Sequence, residues 1–103
     1  MKRGKSVPYE EGLMRRLRDP DYAAGYLESC LKDKEGDPEE IFLIALRDVA
    51  KAYGFTHIAR KSHLGRESLY KALSEKGDPR LSTLTAVLDA IGLKLSIQLK
   101  KAS

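Results

Sequence analysis

FTHIARKSHLGRESLYKALS, running from Phe55 to Ser74, reads as two short helices joined by a tight turn. In the first half Ile58 and Ala59 face inward, and Thr56 stands at the N-cap, where its hydroxyl accepts an orphan backbone N–H of the first turn. About two helical turns follow, ending near Ser62. In the second half Leu69, Ala72 and Leu73 recur at the three- and four-residue spacing of a buried stripe, which leaves Arg66, Glu67, Tyr70 and Lys71 on the other side. Leu64 is the apolar plug at the corner, flanked by His63 and Gly65. Turn length, corner residues and a cationic outer face together point to a helix-turn-helix whose second helix lies in a DNA groove. The inward pattern on its own also fits two amphipathic helices in any small bundle.

Upstream, Asp37-Pro38-Glu39-Glu40 opens a helix: Asp caps it, Pro takes the first helical position, and Glu40 completes a capping box. Its apolar set of Ile41, Phe42, Leu43, Ile44, Leu46, Val49 and Ala50 is too wide for a surface helix, so this is the central scaffold, terminated by Gly54. Asp19-Pro20 repeats the same start and carries Tyr22, Ala23, Tyr26, Leu27, Cys30 and Leu31 along one face to about Lys32, with a polar linker over Asp33 to Gly36. Before it, from Tyr9 to Arg18, Leu13, Met14 and Leu17 are spaced for one weak helical stripe, and Met1 to Val7 is a basic arm.

Downstream, Ser82 caps a last helix, with Leu81 outside it for a staple contact with Ala86 and with Leu84, Val87, Leu88 and Ile91 facing the core until Gly92. Then Leu93, Leu95, Ile97 and Leu99 alternate with Lys94, Ser96, Gln98 and Lys100, the period of a strand with one apolar face. A lone strand leaves its ladder groups unpaired, and the same strand of a second copy across a two-fold axis satisfies them. A short N-terminal partner segment or a frayed tail is the alternative.

The expected fold is therefore mainly α: a five-helix bundle containing a helix-turn-helix, with one C-terminal β-strand pairing antiparallel across a homodimer. Its parts are a basic disordered arm over 1–7, an N-terminal helical extension over 8–36, the DNA-binding core over 37–92, and the dimerisation strand and tail over 93–103. Asp37 to Gly92 already supplies a minimal helix-turn-helix unit, so the segment before Asp37 is not obviously required to fill that core, although its Leu27, Cys30 and Leu31 are expected to pack on Ile41 and Phe42 as extra core. Tyr9 and Tyr22 in that segment, amphipathic rings suited to a surface covered in one state and wet in another, are candidate contacts for a protein partner.

At 103 residues the chain is one domain, long enough for a hydrophobic core without disulfides. Its single Cys30 supports no intrachain bridge and falls on an inner stripe, and neither a membrane-spanning run nor a signal-peptide pattern occurs, so a reducing, cytoplasmic setting is expected. The formal net charge is +4, but its sorting is more informative. From Gly54 to Ser82 six bases (Arg60, Lys61, Arg66, Lys71, Lys76, Arg80) oppose three acids, whereas Asp37 to Tyr53 carries four acids against two bases. His57 and His63 have no Cys or carboxylate partner at metal-ligand spacing, no serine sits in a nucleophile-elbow context, and no phosphate-binding glycine loop occurs. No catalytic residue, cofactor, metal or small-molecule substrate is expected.

The docking geometry of the motif assigns roles. The helix opening at Gly65 presents its N-terminal residues to the major groove, with Arg66 on guanine, Glu67 on a cytosine amino group, and Tyr70 on a thymine methyl or a phosphate. Lys71 takes a phosphate, and Thr56, His57, Lys61, Lys76 and Arg80 ring the site as positioning contacts. For Lys76 and Arg80 a solvated surface role is an equal alternative.

GFTHIARKSHLGRESLYKALS, followed by GDPRLSTLTAVLDAIGLKL and preceded by DPDYAAGYLESCLKD, resembles the helix-turn-helix addiction-module antidotes, the HigA-like antitoxins. In such motifs the small residue at the helix crossing corresponds to Ala59, and the turn glycine falls at His63, a departure that a left-handed His accommodates at modest cost. Gly65, where the family carries a hydroxyl cap, is a second departure. The resemblance implies a type II antitoxin that neutralises a RelE-like ribonuclease toxin and represses its own operon as a dimer. The alternatives are a stand-alone phage-repressor-like regulator and a toxin-binding module with weak or no DNA binding.

Overall fold

Two Asp-Pro pairs set where the first long helices begin. Asp19 Oδ1 accepts the Asp21 N–H at 3.1 Å and Asp37 Oδ1 accepts the Glu39 N–H at 3.0 Å, while each proline occupies a position whose N–H would have no helical acceptor. The computed structural model describes residues 11–32, 36–74 and 77–97. Within them α1 covers residues 11–17, and α2 spans Pro20–Lys32, α3 Pro38–Tyr53, α4 Phe55–Ser62, α5 Arg66–Ala72 and α6 Leu81–Ile91. Six helices and no strand are present among the described residues. The expected count of five is corrected to six among the described residues: the weak stripe before Asp19-Pro20 is a helix separate from α2, closed by bonds from Arg18 N to Arg15 O and from Asp19 N to Arg16 O.

All six helices feed one core. Leu17 of α1, Ala23 and Leu27 of α2, Leu46 and Val49 of α3, Ile58 of α4, Leu69 of α5 and Val87 of α6 are buried together. Leu27 packs in the core as expected, but the segment before Asp37 fills more of it than a minimal unit over 37–92 implies: α2 packs along α3, and Leu17 is fully buried. A polar joint locks the same place. Arg18 Nε donates to the Ala52 carbonyl at 3.0 Å, satisfying one of the orphan acceptors at the end of α3, and Tyr53 Oη donates to the Arg18 carbonyl at 2.6 Å. Burial, and then the nearby Asp19 carboxylate, hold the Tyr53 phenol above its ordinary pKa. On α3, Ile44 is exposed and Ile41, Phe42 and Leu43 are half-buried, so the helix is buried along its second half more than its first.

Gly54 joins the scaffold to the motif in one residue. With φ 100° it adopts a conformation closed to side chains, its N–H bonding back to Ala50 and Lys51 while its carbonyl accepts from Ile58 of the next helix. Because α4 starts at Phe55, Gly54 is the N-cap and Thr56 already lies inside the helix; the expected Thr56 cap is corrected. Ser82 and Leu81 are corrected in the same way. α6 starts at Leu81 with Arg80 at its N-cap and no side-chain capping bond, and Leu81 is exposed.

α6 ends as expected at Gly92, which is left-handed. The Leu93 N–H reaches Leu88 O at 2.8 Å and the Gly92 N–H reaches Asp89 O at 3.0 Å, the paired bonds of a Schellman motif. The strand expected beyond it is not formed over residues 93–97. A strand exists by virtue of its ladder, and the described residues hold no second strand to pair with. The basic arm, Tyr9, Lys76 and Leu99 lie outside the described residues.

Candidate nucleic-acid interface

The turn between α4 and α5 depends on His63. It adopts φ 64°, ψ 20°, the left-handed well, and its N–H bonds back to Arg60 O while Ser62 Oγ accepts the Leu64 N–H. Half-buried Leu64 then packs against the core as the corner plug, and Gly65, extended at φ −68°, ψ 149°, is the N-cap of α5. Neither α4 nor α5 has a side-chain capping bond. The turn is thus built on backbone geometry and on one apolar plug.

α5 divides cleanly by burial. Leu69 is fully buried on the inner side and Leu73, just past the helix end, is buried beside it; Arg66, Glu67, Ser68, Tyr70 and Lys71 are exposed. On α4 the exposed residues are Thr56, His57, Arg60 and Lys61, against buried Phe55, Ile58 and Ala59. All the residues expected to face DNA that fall within the described residues are therefore on the surface, Arg80 included.

Arg80 is brought to α5 by a close backbone approach. Ser68 and Lys71 on α5, Arg80 and Thr83 at the start of α6, and Gly77, Asp78 and Pro79 before them line one open groove. A Cβ on Gly77 would lie 2.2 Å from the Ala72 carbonyl oxygen, so only glycine lets this segment return against the end of α5. Lys71 and Arg80 thus share one face, as two phosphate contacts on one strand would require.

Tyr70 is less available than its place in the sequence implies. Its ring stacks on Phe55 with centroids 4.2 Å apart and planes 10° from parallel, and the Arg66 guanidinium carbon lies over the same ring, 5.6 Å from its centroid. Phe55, the first residue of α4 and nearly buried, is the site residue that sequence reading missed. Nothing in its spacing marks it, because its partner is fifteen residues away across the turn. Among the other assigned residues, Tyr22 is exposed on α2, stacked on Tyr26 at 6.5 Å and under the Arg16 guanidinium at 5.5 Å, while Tyr26 Oη donates to Asp48 Oδ2 at 3.3 Å. Leu93 is half-buried, whereas Leu95 and Ile97 are exposed, Ile97 completely.

Among the described residues no group of three or more His, Cys, Asp or Glu side chains could hold a metal ion, and no helix is long and apolar enough to cross a membrane. No solved structure matches the chain. An uncharacterised protein of Haemophilus influenzae is 40% identical over 73 residues, which is 71% of this chain and 72% of that protein. Residues 11–99 match the family described as probable addiction module antidote protein, a span that takes in all six helices. The chain belongs to the probable addiction module antidote family.

Proposed function

We propose that this protein is the antidote of a type II addiction module: a HigA-like helix-turn-helix antitoxin that neutralises a RelE-like ribonuclease toxin and represses its own operon as a dimer. Membership of the antidote family over residues 11–99 carries the antitoxin half. The DNA half rests on the left-handed turn at His63 and on the exposed row Arg66, Glu67 and Lys71 opposite buried Leu69. In this reading Arg66 and Glu67 contact bases, Tyr70 belongs to the same face, and Thr56, His57, Lys61, Lys71, Lys76 and Arg80 contact phosphates. The unit over 37–92 binds DNA, the segment over 8–36 offers Tyr9 and Tyr22 to the toxin, and the segment over 93–103, through Leu93, Leu95, Ile97 and Leu99, pairs two copies. The protein acts by binding, in the cytoplasm, with no catalytic step.

Co-expression tests the antitoxin half. The product of the neighbouring reading frame should arrest growth when induced alone, and this protein should restore growth and co-purify with it; failure of both overturns the assignment. A second reading, a toxin-binding module with weak DNA affinity, is favoured by the lack of side-chain caps on α4 and α5. A gel shift on the DNA upstream of its own gene separates the two, since only the repressor retards that DNA in preference to unrelated sequence.

A further inference from the structure

We infer that Tyr70 is a positioning residue for Arg66 rather than a reader of bases, and that Phe55 anchors it. The inference rests on the proposed reading of Arg66 as a guanine contact and says how that contact is held in place. A tyrosine that reads bases has to extend its ring into the groove. Tyr70 cannot do so without leaving Phe55, whose ring lies 4.2 Å away and nearly parallel, and Phe55 is itself fixed in the core.

Arg66 stands one helical turn before Tyr70, the spacing at which side chains on a helix meet. Its guanidinium carbon lies 5.6 Å from the centre of the Tyr70 ring, within cation–π range. A guanidinium engaged by a ring through cation–π attraction spends none of its N–H donors on a hydrogen bond, so the fork that donates to guanine O6 and N7 stays available. This contact therefore removes rotamer freedom from Arg66 before DNA arrives without consuming a donor. The order of support runs inward from Arg66 to Tyr70, to Phe55, to Gly54 and so to the scaffold helix, which ties the base-reading fork to the core through two aromatic rings.

The test uses the full chain with Arg66→Ala, Tyr70→Phe, Tyr70→Leu and the Arg66→Ala/Tyr70→Leu double variant, titrated against the operator and its single base-pair changes. Arg66→Ala should relax discrimination at one base pair of each half-site by about 5- to 150-fold. Tyr70→Phe, which keeps the ring, should discriminate as the parent does. Tyr70→Leu, which keeps an apolar contact to Phe55 but no ring face, should relax discrimination at the same base pair, and the double variant should lose no more than Arg66→Ala alone. In the DNA-free protein, the Arg66 δ-methylene protons should show a ring-current shift that Tyr70→Phe retains and Tyr70→Leu abolishes.

A folded Tyr70→Leu protein with parental discrimination, or one that relaxes a different base pair, overturns the positioning role while leaving Arg66 as a reader. Loss of discrimination in Tyr70→Phe overturns it as well, because the hydroxyl would then be the reading group. An Arg66→Ala protein that discriminates normally, with the ring-current shift intact in the parent, overturns the base-reading role of Arg66 and the positioning role with it.

Discussion

His63 occupies a backbone well in which a Cβ costs about 1–2 kcal/mol, and the motif tolerates it because His is among the few side chains found there with some regularity. His63→Gly should leave stability unchanged or raise it by up to about 1 kcal/mol, relief of strain being partly offset by a freer unfolded chain. His63→Val should lower it by at least about 1 kcal/mol, since a branched Cβ fits the left-handed well poorly. Urea unfolding curves of the three proteins check the order, and a Val variant as stable as the parent would contradict it. Lys71→Ala should weaken binding to all DNA sequences alike and flatten the logarithmic salt slope by about one unit, as read from titrations over a range of salt. The exceptional backbone at His63 was legible because motif spacing fixes where the turn falls. The caps expected at Thr56 and Ser82 each fall two residues late: a hydroxyl near a helix start resembles a cap, yet Gly54 and Arg80 mark the actual starts. The Phe55–Tyr70 stack was not legible at all, since only tertiary packing brings those rings together.

α1 and the start of α2 form a buttress for α3 rather than a detachable arm. Leu17 is fully buried, so Leu17→Ala should cost about 2–5 kcal/mol in chemical denaturation. Removing residues 1–18 should expose the core and free the end of α3, giving a chain with no cooperative melting transition by circular dichroism; a stable truncated protein would contradict this packing. The same joint gives the protein an alkaline limit. The Tyr53 phenol is held above its ordinary value of about 10 by burial and by Asp19. The native state therefore binds this proton more tightly than the unfolded chain does. The stabilisation is complete below the unfolded value and is lost as pH rises through the native one. Tyr53→Phe should remove this part of the decline in stability above about pH 10, measured as melting temperature against pH. Both Asp-Pro starts were readable from the sequence, because cap and proline act locally. The need for α1 was not, because a short stripe of Leu13, Met14 and Leu17 gives no sign of how deeply Leu17 is inserted.

The molecule presents a cationic face on α4 and α5 and exposed apolar side chains at Leu95 and Ile97. The period-two pattern after Gly92 was evident in the sequence, but a ladder needs two strands and the described residues hold none. If two copies pair there, as proposed, Ile97→Pro removes a ladder donor and should shift the protein towards monomer in sedimentation velocity. A parent chain that sediments as a monomer at high concentration would contradict the pairing. A dimer also requires operator half-sites about 34 Å apart, one helical turn, so inserting half a turn of DNA between them should abolish tight binding. We propose that the face carrying Arg66 reads DNA sequence. Its most direct test is the fluorescence anisotropy of the intact protein, at one fixed salt concentration, on the duplex upstream of its own gene and on a scrambled duplex of equal length and composition. A preference of at least about a thousandfold for the upstream duplex, collapsing in Arg66→Ala, is the predicted result; equal affinity for the two duplexes would contradict it.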